Sequence, residues 1–216
     1  MRYNTIILDL DGTLLNTLDD LASSVNYAMR ECGYPERTTD EVRRFIGNGV
    51  AVLIRRAVPS GTSEEDYLSA LEVFKAHYAK NSRNTTAPYK GITELMGELK
   101  EKGYKTAIVS NKIDFAVQDL SREFFCGLVD AAVGDSDETR PKPAPDMVEK
   151  ALAILNEKAE NSVYIGDTDV DIETAKNAGM DCIRVTWGFR KAEELKGNDA
   201  QMLADTPTDI LKFVKT

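Results

Sequence analysis

The stretch Thr5-Ile6-Ile7-Leu8-Asp9-Leu10-Asp11-Gly12-Thr13 decides the architecture. Thr5–Leu8 reads as a short buried strand, and the run stops at two aspartates and a glycine. In extended chain, residues i and i+2 project to the same side, so Asp9 and Asp11 should face one pocket beyond the strand's carboxyl end. Like charges at close range raise one pKa unless a cation compensates. The pair therefore predicts a bound divalent metal, a shared proton, or both. Gly12 lets the chain turn immediately afterwards. Alone, the motif also admits the reading of a surface Asp-Gly turn, the less favoured of the two.

Outward from this strand, further β-rich apolar runs occur at Lys105–Val109, Ala131–Val133, Val163–Ile165 and Cys182–Thr186. Past Lys105 their spacing suits one helix between strands, which predicts a parallel sheet with helices on both faces. Met147, Ala151, Ile154 and Leu155 form one such helical face, and Ile172, Ala175 and Ala178 another that stops at Gly179. The gap between the first two runs is far longer than the thirty or so residues of a simple crossover and implies an inserted domain. Apolar residues spaced by three and four recur there, at Leu18, Leu21, Val25, Ala28 and Cys32, then over 42–46, 50–57 and 67–78, predicting a helical insert. The division expected is a core of residues 1–15 and 88–216 with an insert of residues 16–87.

The other strand ends carry matching polar residues. Gly166-Asp167-Thr168-Asp169-Val170-Asp171 puts more carboxylates on the same rim, leading into a helix. Oxygen-rich, histidine-free ligation suits magnesium. Helix capping would account for Asp169, but a residue ending a buried strand has no comparable capping role, so Asp167 points to ligation. Ser110-Asn111-Lys112 closes the second strand and places a hydroxyl and an amide at the start of the next helix, where free N–H groups favour an anion; capping alone also explains them. Lys142 stands among Pro141, Pro143 and Pro145, whose stiff backbone favours a fixed cation beside phosphate.

Asp9-Leu10-Asp11-Gly12-Thr13, Ser110-Asn111, Lys142-Pro143 and Gly166-Asp167 through Asp171 together resemble the four ordered signature motifs of the haloacid dehalogenase superfamily. The resemblance implies a Rossmann-like, doubly wound parallel sheet with an inserted α-helical cap domain, and phosphoryl transfer through an aspartyl-phosphate. It implies that Asp9 is nucleophile and Mg2+ ligand, and that Asp11 is general acid/base with its carbonyl on the metal. Asp167 would be a further ligand, and Asp171 would bind the metal directly or support it from behind. Ser110 and Lys142 would hold the phosphoryl group, with Asn111 assisting. Within the superfamily the chain is most similar to bacterial phosphoglycolate phosphatases, through Phe45-Ile46-Gly47-Asn48-Gly49-Val50, Tyr89-Lys90-Gly91-Ile92 and Ala178-Gly179. Gly47, Asn48 and Gly49 would then contact the substrate, although the same residues read locally as an interhelical turn. Pyrophosphatases, sugar-phosphate phosphatases, nucleotidases and β-phosphoglucomutases are the neighbouring alternatives. A noncatalytic binding module would have no need of Asp9, Asp11, Lys142 and Asp167 together.

Composition narrows the partners. With 216 residues, 42% of them hydrophobic, the chain can bury a substantial core. A net charge of −9 without a basic run argues against nucleic acid. Cys32, Cys126 and Cys182 fit buried thiols in a reducing compartment rather than a zinc site. No apolar segment is long enough to span a bilayer. The expectation is a cytoplasmic monomer or homodimer acting on a small phosphorylated metabolite. Arg55 and Arg56 are conceivable ligands for a substrate carboxylate, and His77 fits packing or solvation better than catalysis.

Overall fold

The computed structural model describes residues 2–190 and 202–215. The chain divides into two compact units, Met1–Leu15 with Pro88–Thr216, and Asn16–Ala87. Among the described residues the strands are Thr5–Leu8 (β1), Leu15–Asn16 (β2), Ala87–Pro88 (β3), Lys105–Ile113 (β4), Ala131–Asp135 (β5), Ser162–Gly166 (β6), Asp181–Val185 (β7) and Leu203–Ala204 (β8). β2 and β3, where the chain passes from one unit to the other, pair with each other.

The first unit is the expected α/β core, a parallel sheet in the order β5-β4-β1-β6-β7-β8. β1 lies at its centre because all four of its residues are buried and each face finds a helical layer. Ile6 and Leu8 pack with Ile92, Leu95, Met96 and Leu99 of one helix and with Val117, Leu120, Ile210 and Val214. Ile7 turns to the opposite face, against Met147, Val148 and Ala151. Each such buried aliphatic side chain contributes about 1.5–3 kcal/mol, so the end of β1 is firmly placed. Leu8 aligns with Ile108 of β4 and with Ile165 of β6, which sets the end of β1 beside the end of β6 and the middle of β4. The chain runs from β1 to β4 and β5 on one side, then returns to β6, β7 and β8 on the other. That reversal opens the crevice where such sheets bind ligands.

The second unit is helical: Leu18–Glu31 (α1), Thr39–Phe45 (α2), Gly49–Ala57 (α3) and Glu64–Asn81 (α4). In the first unit follow Ile92–Glu101 (α5), Asp114–Phe125 (α6), Asp146–Leu155 (α7), Asp169–Asn177 (α8) and Pro207–Val214 (α9). α1 packs on α4, and His77 of α4 stacks on Tyr27 at 4.1 Å with its Nδ1 3.0 Å from Ser24 Oγ, a packing role. No helix among the described residues is long and apolar enough to cross a membrane.

Two expectations need correction. Strand β4 runs on to Ile113, pairing again with Asp135 after a register shift, and α6 begins only at Asp114. Ser110 and Asn111 therefore lie on the strand, not in the first turn of a helix. The carboxylates after β6 also do not all converge. Thr168 caps α8 with Asp171 as its reciprocal partner, and Asp171 turns inward. Asp169, at the first helical position, points outward; its side chain is 83% exposed and lies 3.0 Å from Arg184.

Asp20 in the first turn of α1 is buried. It accepts hydrogen bonds of 2.7–3.1 Å from the backbone and hydroxyl groups of Thr85 and Thr86, just before the helical unit ends. Burial alone would raise its pKa, but these four donor groups outweigh burial and hold it below the ordinary value. Asp20→Asn should destabilise the helical unit by about 1–3 kcal/mol in urea unfolding. A group with a depressed folded pKa stabilises fully above its unfolded value of about 3.9, and the contribution is lost as pH falls through the folded value. The gap between wild type and variant should therefore be constant near neutrality and close in acid.

Candidate active site

Asp9 follows β1 directly and is buried, with Oδ1 2.8 Å from Lys142 Nζ. The same ammonium lies 2.7 Å from Asp171 Oδ1 and donates to the Tyr164 hydroxyl at 3.1 Å. Tyr164 shares the Ile7 face of the sheet, and its hydroxyl lies 3.3 Å from Asp171 Oδ1 and 3.4 Å from the Val109 carbonyl. Burial would strip the proton from Lys142, but Asp171 and Asp9 outweigh it and hold its pKa well above the usual lysine value. The lysine is fixed at its backbone as well: its N–H donates to Asn111 Oδ1 at 2.7 Å, and Asn111 Nδ2 donates to its carbonyl at 3.1 Å. Asn111 thus spends both ends of its amide on positioning Lys142.

Asp167 is fully buried after β6. Its Oδ2 accepts from the Phe189 N–H at 2.6 Å and its Oδ1 from Thr13 Oγ1 at 3.3 Å. Glycines let chain and carboxylates approach. A side-chain carbon at Gly12, where φ is +87°, would lie 2.5 Å from Asp167 Oδ2, and one at Gly188 would lie 2.4 Å from Asp167 Cβ. At Gly166 it would lie 2.3 Å from Asp171 Cβ and Cγ.

Asp9, Asp167 and Asp171 can each offer an oxygen within 4.8 Å of the others, all from buried side chains. Burial, then the Asp171 charge, pushes Asp9 well above the carboxylate range despite Lys142. The same two causes push Asp167 up to about 7. This is an oxygen-only donor set in which protein cations do not cancel the repulsion, and it fits a hard divalent cation such as Mg2+. Asp171 is the most heavily engaged of the three: Oδ1 faces Lys142, and Oδ2 accepts from the Thr168 N–H and hydroxyl at 2.9 and 2.7 Å.

Asp11 pairs with a different cation. Lys112 Nζ stands 3.0 and 3.1 Å from its two oxygens, and the lysine side chain is only 5% exposed. Ser110, buried on β4, accepts from the Lys112 N–H at 3.2 Å. The structure therefore gathers Asp9, Asp11, Ser110, Asn111, Lys142, Asp167 and Asp171 around the ends of β1 and β6 and the adjoining part of β4. Lys112, Tyr164, Thr13 and the Phe189 N–H join them without having been singled out in the sequence. Neither Lys112 nor Tyr164 gave a signal, because a lysine after an apolar run reads as a solvated charge and a tyrosine in a buried strand reads as core.

Gly47, Asn48 and Gly49 belong to the helical unit, where Gly47 and Asn48 lead from α2 into α3 and Gly49 is the first residue of α3. Both glycines have left-handed φ, +126° and +80°, and Arg56 braces the turn through the Phe45 carbonyl at 2.9 Å and Asn48 Oδ1 at 3.3 Å. Arg55 is held by Glu64 at 2.7 Å beneath the Tyr67 ring. These contacts account for both arginines without a ligand.

A buried carboxylate at the end of a central parallel strand, with a lysine and two further carboxylates about it, forms an acidic, histidine-free cluster suited to a divalent cation. The chain belongs to the haloacid dehalogenase-like hydrolase family, whose pattern it matches over residues 6–185. It is 35% identical to a phosphoglycolate phosphatase of Aquifex aeolicus, covering 97% of this chain and 95% of the relative. A phosphoglycolate phosphatase of Vibrio parahaemolyticus is 31% identical over the same shares of the two chains. A solved structure from Lactobacillus delbrueckii subsp. bulgaricus, provisionally assigned as a phosphoglycolate phosphatase, superposes with a TM-score of 0.94 at 36% identity, covering 99% of each chain.

Gly166→Ala tests the packing that places Asp171. The added methyl must displace that carboxylate, so the variant should lose about 1–3 kcal/mol in urea unfolding. Gly97→Ala, where nothing lies within 4 Å of the added carbon, is the control that should be neutral or better.

Proposed function

We propose that this hydrolase cleaves a small phosphate monoester, foremost 2-phosphoglycolate, through a phosphorylated Asp9, with Mg2+ as cofactor. The observation that carries the reading is the buried Asp9 carboxylate held 2.8 Å from Lys142 beside Asp167 and Asp171. Nothing about packing requires four aspartates and two lysines at one sheet edge, and the desolvation of those charges is a cost that chemistry must justify. The named relatives support the substrate, since two phosphoglycolate phosphatases align with almost the whole chain.

Asp9 attacks phosphorus through a carboxylate oxygen, forming an acyl phosphate as the bond to the leaving oxygen breaks. Asp11 gives its proton to that oxygen. It then takes a proton from water, whose oxygen attacks phosphorus and breaks the Asp9–phosphorus bond, returning the carboxylate and inorganic phosphate. Lys142, aided by Ser110, bears on the phosphoryl oxygens, and Asn111 and Tyr164 keep the lysine aimed. Asp9 and Asp167, with the Asp11 carbonyl, would hold Mg2+, and Asp171 supports the site mainly through Lys142. Mg2+ bound there supplies the countercharge that keeps Asp9 ionised and offsets charge on the phosphoryl oxygens.

The test is hydrolysis of p-nitrophenyl phosphate and 2-phosphoglycolate. Chelation should abolish both activities and Mg2+ restore them, while Asp9→Asn should lose at least about 10³-fold in kcat. Full activity without divalent metal, or in Asp9→Asn, sinks the mechanism. A panel adding pyrophosphate, hexose phosphates and nucleoside monophosphates, ranked by kcat/KM, decides the substrate.

A further inference from the structure

Trp187, Gly188 and Phe189 follow β7 outside any strand or helix, yet each of them meets Asp167 or the turn after β1. The Phe189 N–H donates to Asp167 Oδ2 at 2.6 Å, and its side chain is buried. Gly188 lies so close that a side-chain carbon there would stand 2.4 Å from both Asp167 Cβ and the Gly12 carbonyl oxygen. The Trp187 indole N–H donates to the Thr13 carbonyl at 3.0 Å, and the Thr13 hydroxyl donates in turn to Asp167 Oδ1 at 3.3 Å. Both oxygens of Asp167 are therefore held, one by the loop directly and the other through Thr13. Packing alone does not require this. Trp187 lies part-buried against the core, where an indole can give its N–H to water as readily as to protein. Thr13 does depend on the contact. Its own N–H is a long 3.4 Å from the Leu10 carbonyl, so its carbonyl end carries much of its placement.

We propose that Trp187 is a positioning residue for Mg2+, which acts through Thr13 to fix the Asp167 carboxylate as a ligand and thereby sets the affinity of the site for the ion. The inference rests on the Mg2+ reading above and deepens it. Mg2+ demands a near-ideal arrangement of oxygens at short distance, so a carboxylate free to rotate is a poorer ligand than one held by donors behind it. The three aspartates are held in different ways. Asp9 and Asp171 each pair with Lys142, whereas Asp167 accepts only from an amide and a hydroxyl. Neutral donors orient a carboxylate and leave its negative charge for the ion. Asp167 is thus the ligand whose geometry is bought without a competing cation, and Trp187 stands at the outer end of the contacts that provide it.

Trp187 is the single tryptophan of the chain. A tryptophan auxotroph fed the benzothienyl analogue therefore replaces this N–H by sulfur, at this position alone, and keeps the shape of the ring. Mg2+ affinity is read without substrate, from the rise of the thermal midpoint with Mg2+ concentration, since an ion bound to the folded state stabilises it in proportion to ln(1 + [Mg2+]/Kd). The analogue, Trp187→Phe and Thr13→Val should each bind Mg2+ about tenfold more weakly than wild type, and Thr13→Ser should bind it equally well. Thr13→Val carrying the analogue should be no weaker than Thr13→Val alone, because both changes cut one chain of contacts. Each Kd comes from shifts within one preparation, so a lower midpoint without metal does not alter it, and the analogue decides the matter should Trp187→Phe not fold. Wild-type affinity in the analogue, or losses that multiply in the combination, overturns the inference and leaves the Mg2+ reading intact. A wild-type midpoint that Mg2+ does not move overturns both.

Discussion

The ammonium of Lys142, clamped between Asp9 and Asp171, is the constraint on which the site depends. Three carboxylates cannot share a small dry volume without cations, and the single lysine leaves Asp9 and Asp167 still raised above their ordinary pKa. That residual repulsion is what makes a divalent ion fit. It also explains why so much surrounding structure is devoted to the lysine: the Tyr164 hydroxyl on one side, the Asn111 amide on its backbone, and an Asp171 whose other oxygen is fixed by the cap of α8. In the reaction proposed above, a charge held from several directions would not need to reorganise as charge moves, and such preorganisation is where electrostatic catalysis gains most.

The sheet supplies the geometry for this arrangement. β1 is fixed by apolar layers on both faces, and its alignment with β4 and β6 sets Asp9 one residue, and Ser110 and Asp167 two residues, beyond the aligned Leu8, Ile108 and Ile165. The glycines at 12, 166 and 188 then bring the chain within reach of the carboxylates. Stability and function separate cleanly here: side chains below the strand ends hold the fold, and residues just beyond them crowd charge together at a cost the core offsets.

Much of this was legible in the sequence. The aspartate at the end of an apolar run has no structural reason to be there, so Asp9 and Asp167 stood out, and the proline frame marked Lys142. What was hidden depended on rotation about elements. Capping is the sequence reading of Asp169, but the cap is made by Thr168 with Asp171, and it is Asp171, at the third helical position, that turns inward while Asp169 faces out. Ser-Asn-Lys gives no strand signal, so the continuation of β4 to Ile113 and the inward reach of Lys112 could not be read. Tyr164 was indistinguishable from core until its hydroxyl was placed. The helix α5 is a different case: Ile92, Leu95, Met96 and Leu99 have regular helical spacing, yet a reading built on strands and their crossovers passes over it. β8, two residues long, carries too little pattern to detect.

The clasp of Asn111 on the backbone of Lys142 bears on how such a protein can change over time. The lysine takes its position from a side chain on β4 and its orientation from carboxylates after β1 and β6, so the segment between β5 and Pro141 that delivers it is free of that duty. Insertions or deletions there can alter the rim of the crevice while the ammonium stays in place. Lineages of this fold can therefore vary the length of that loop without first rebuilding the chemistry.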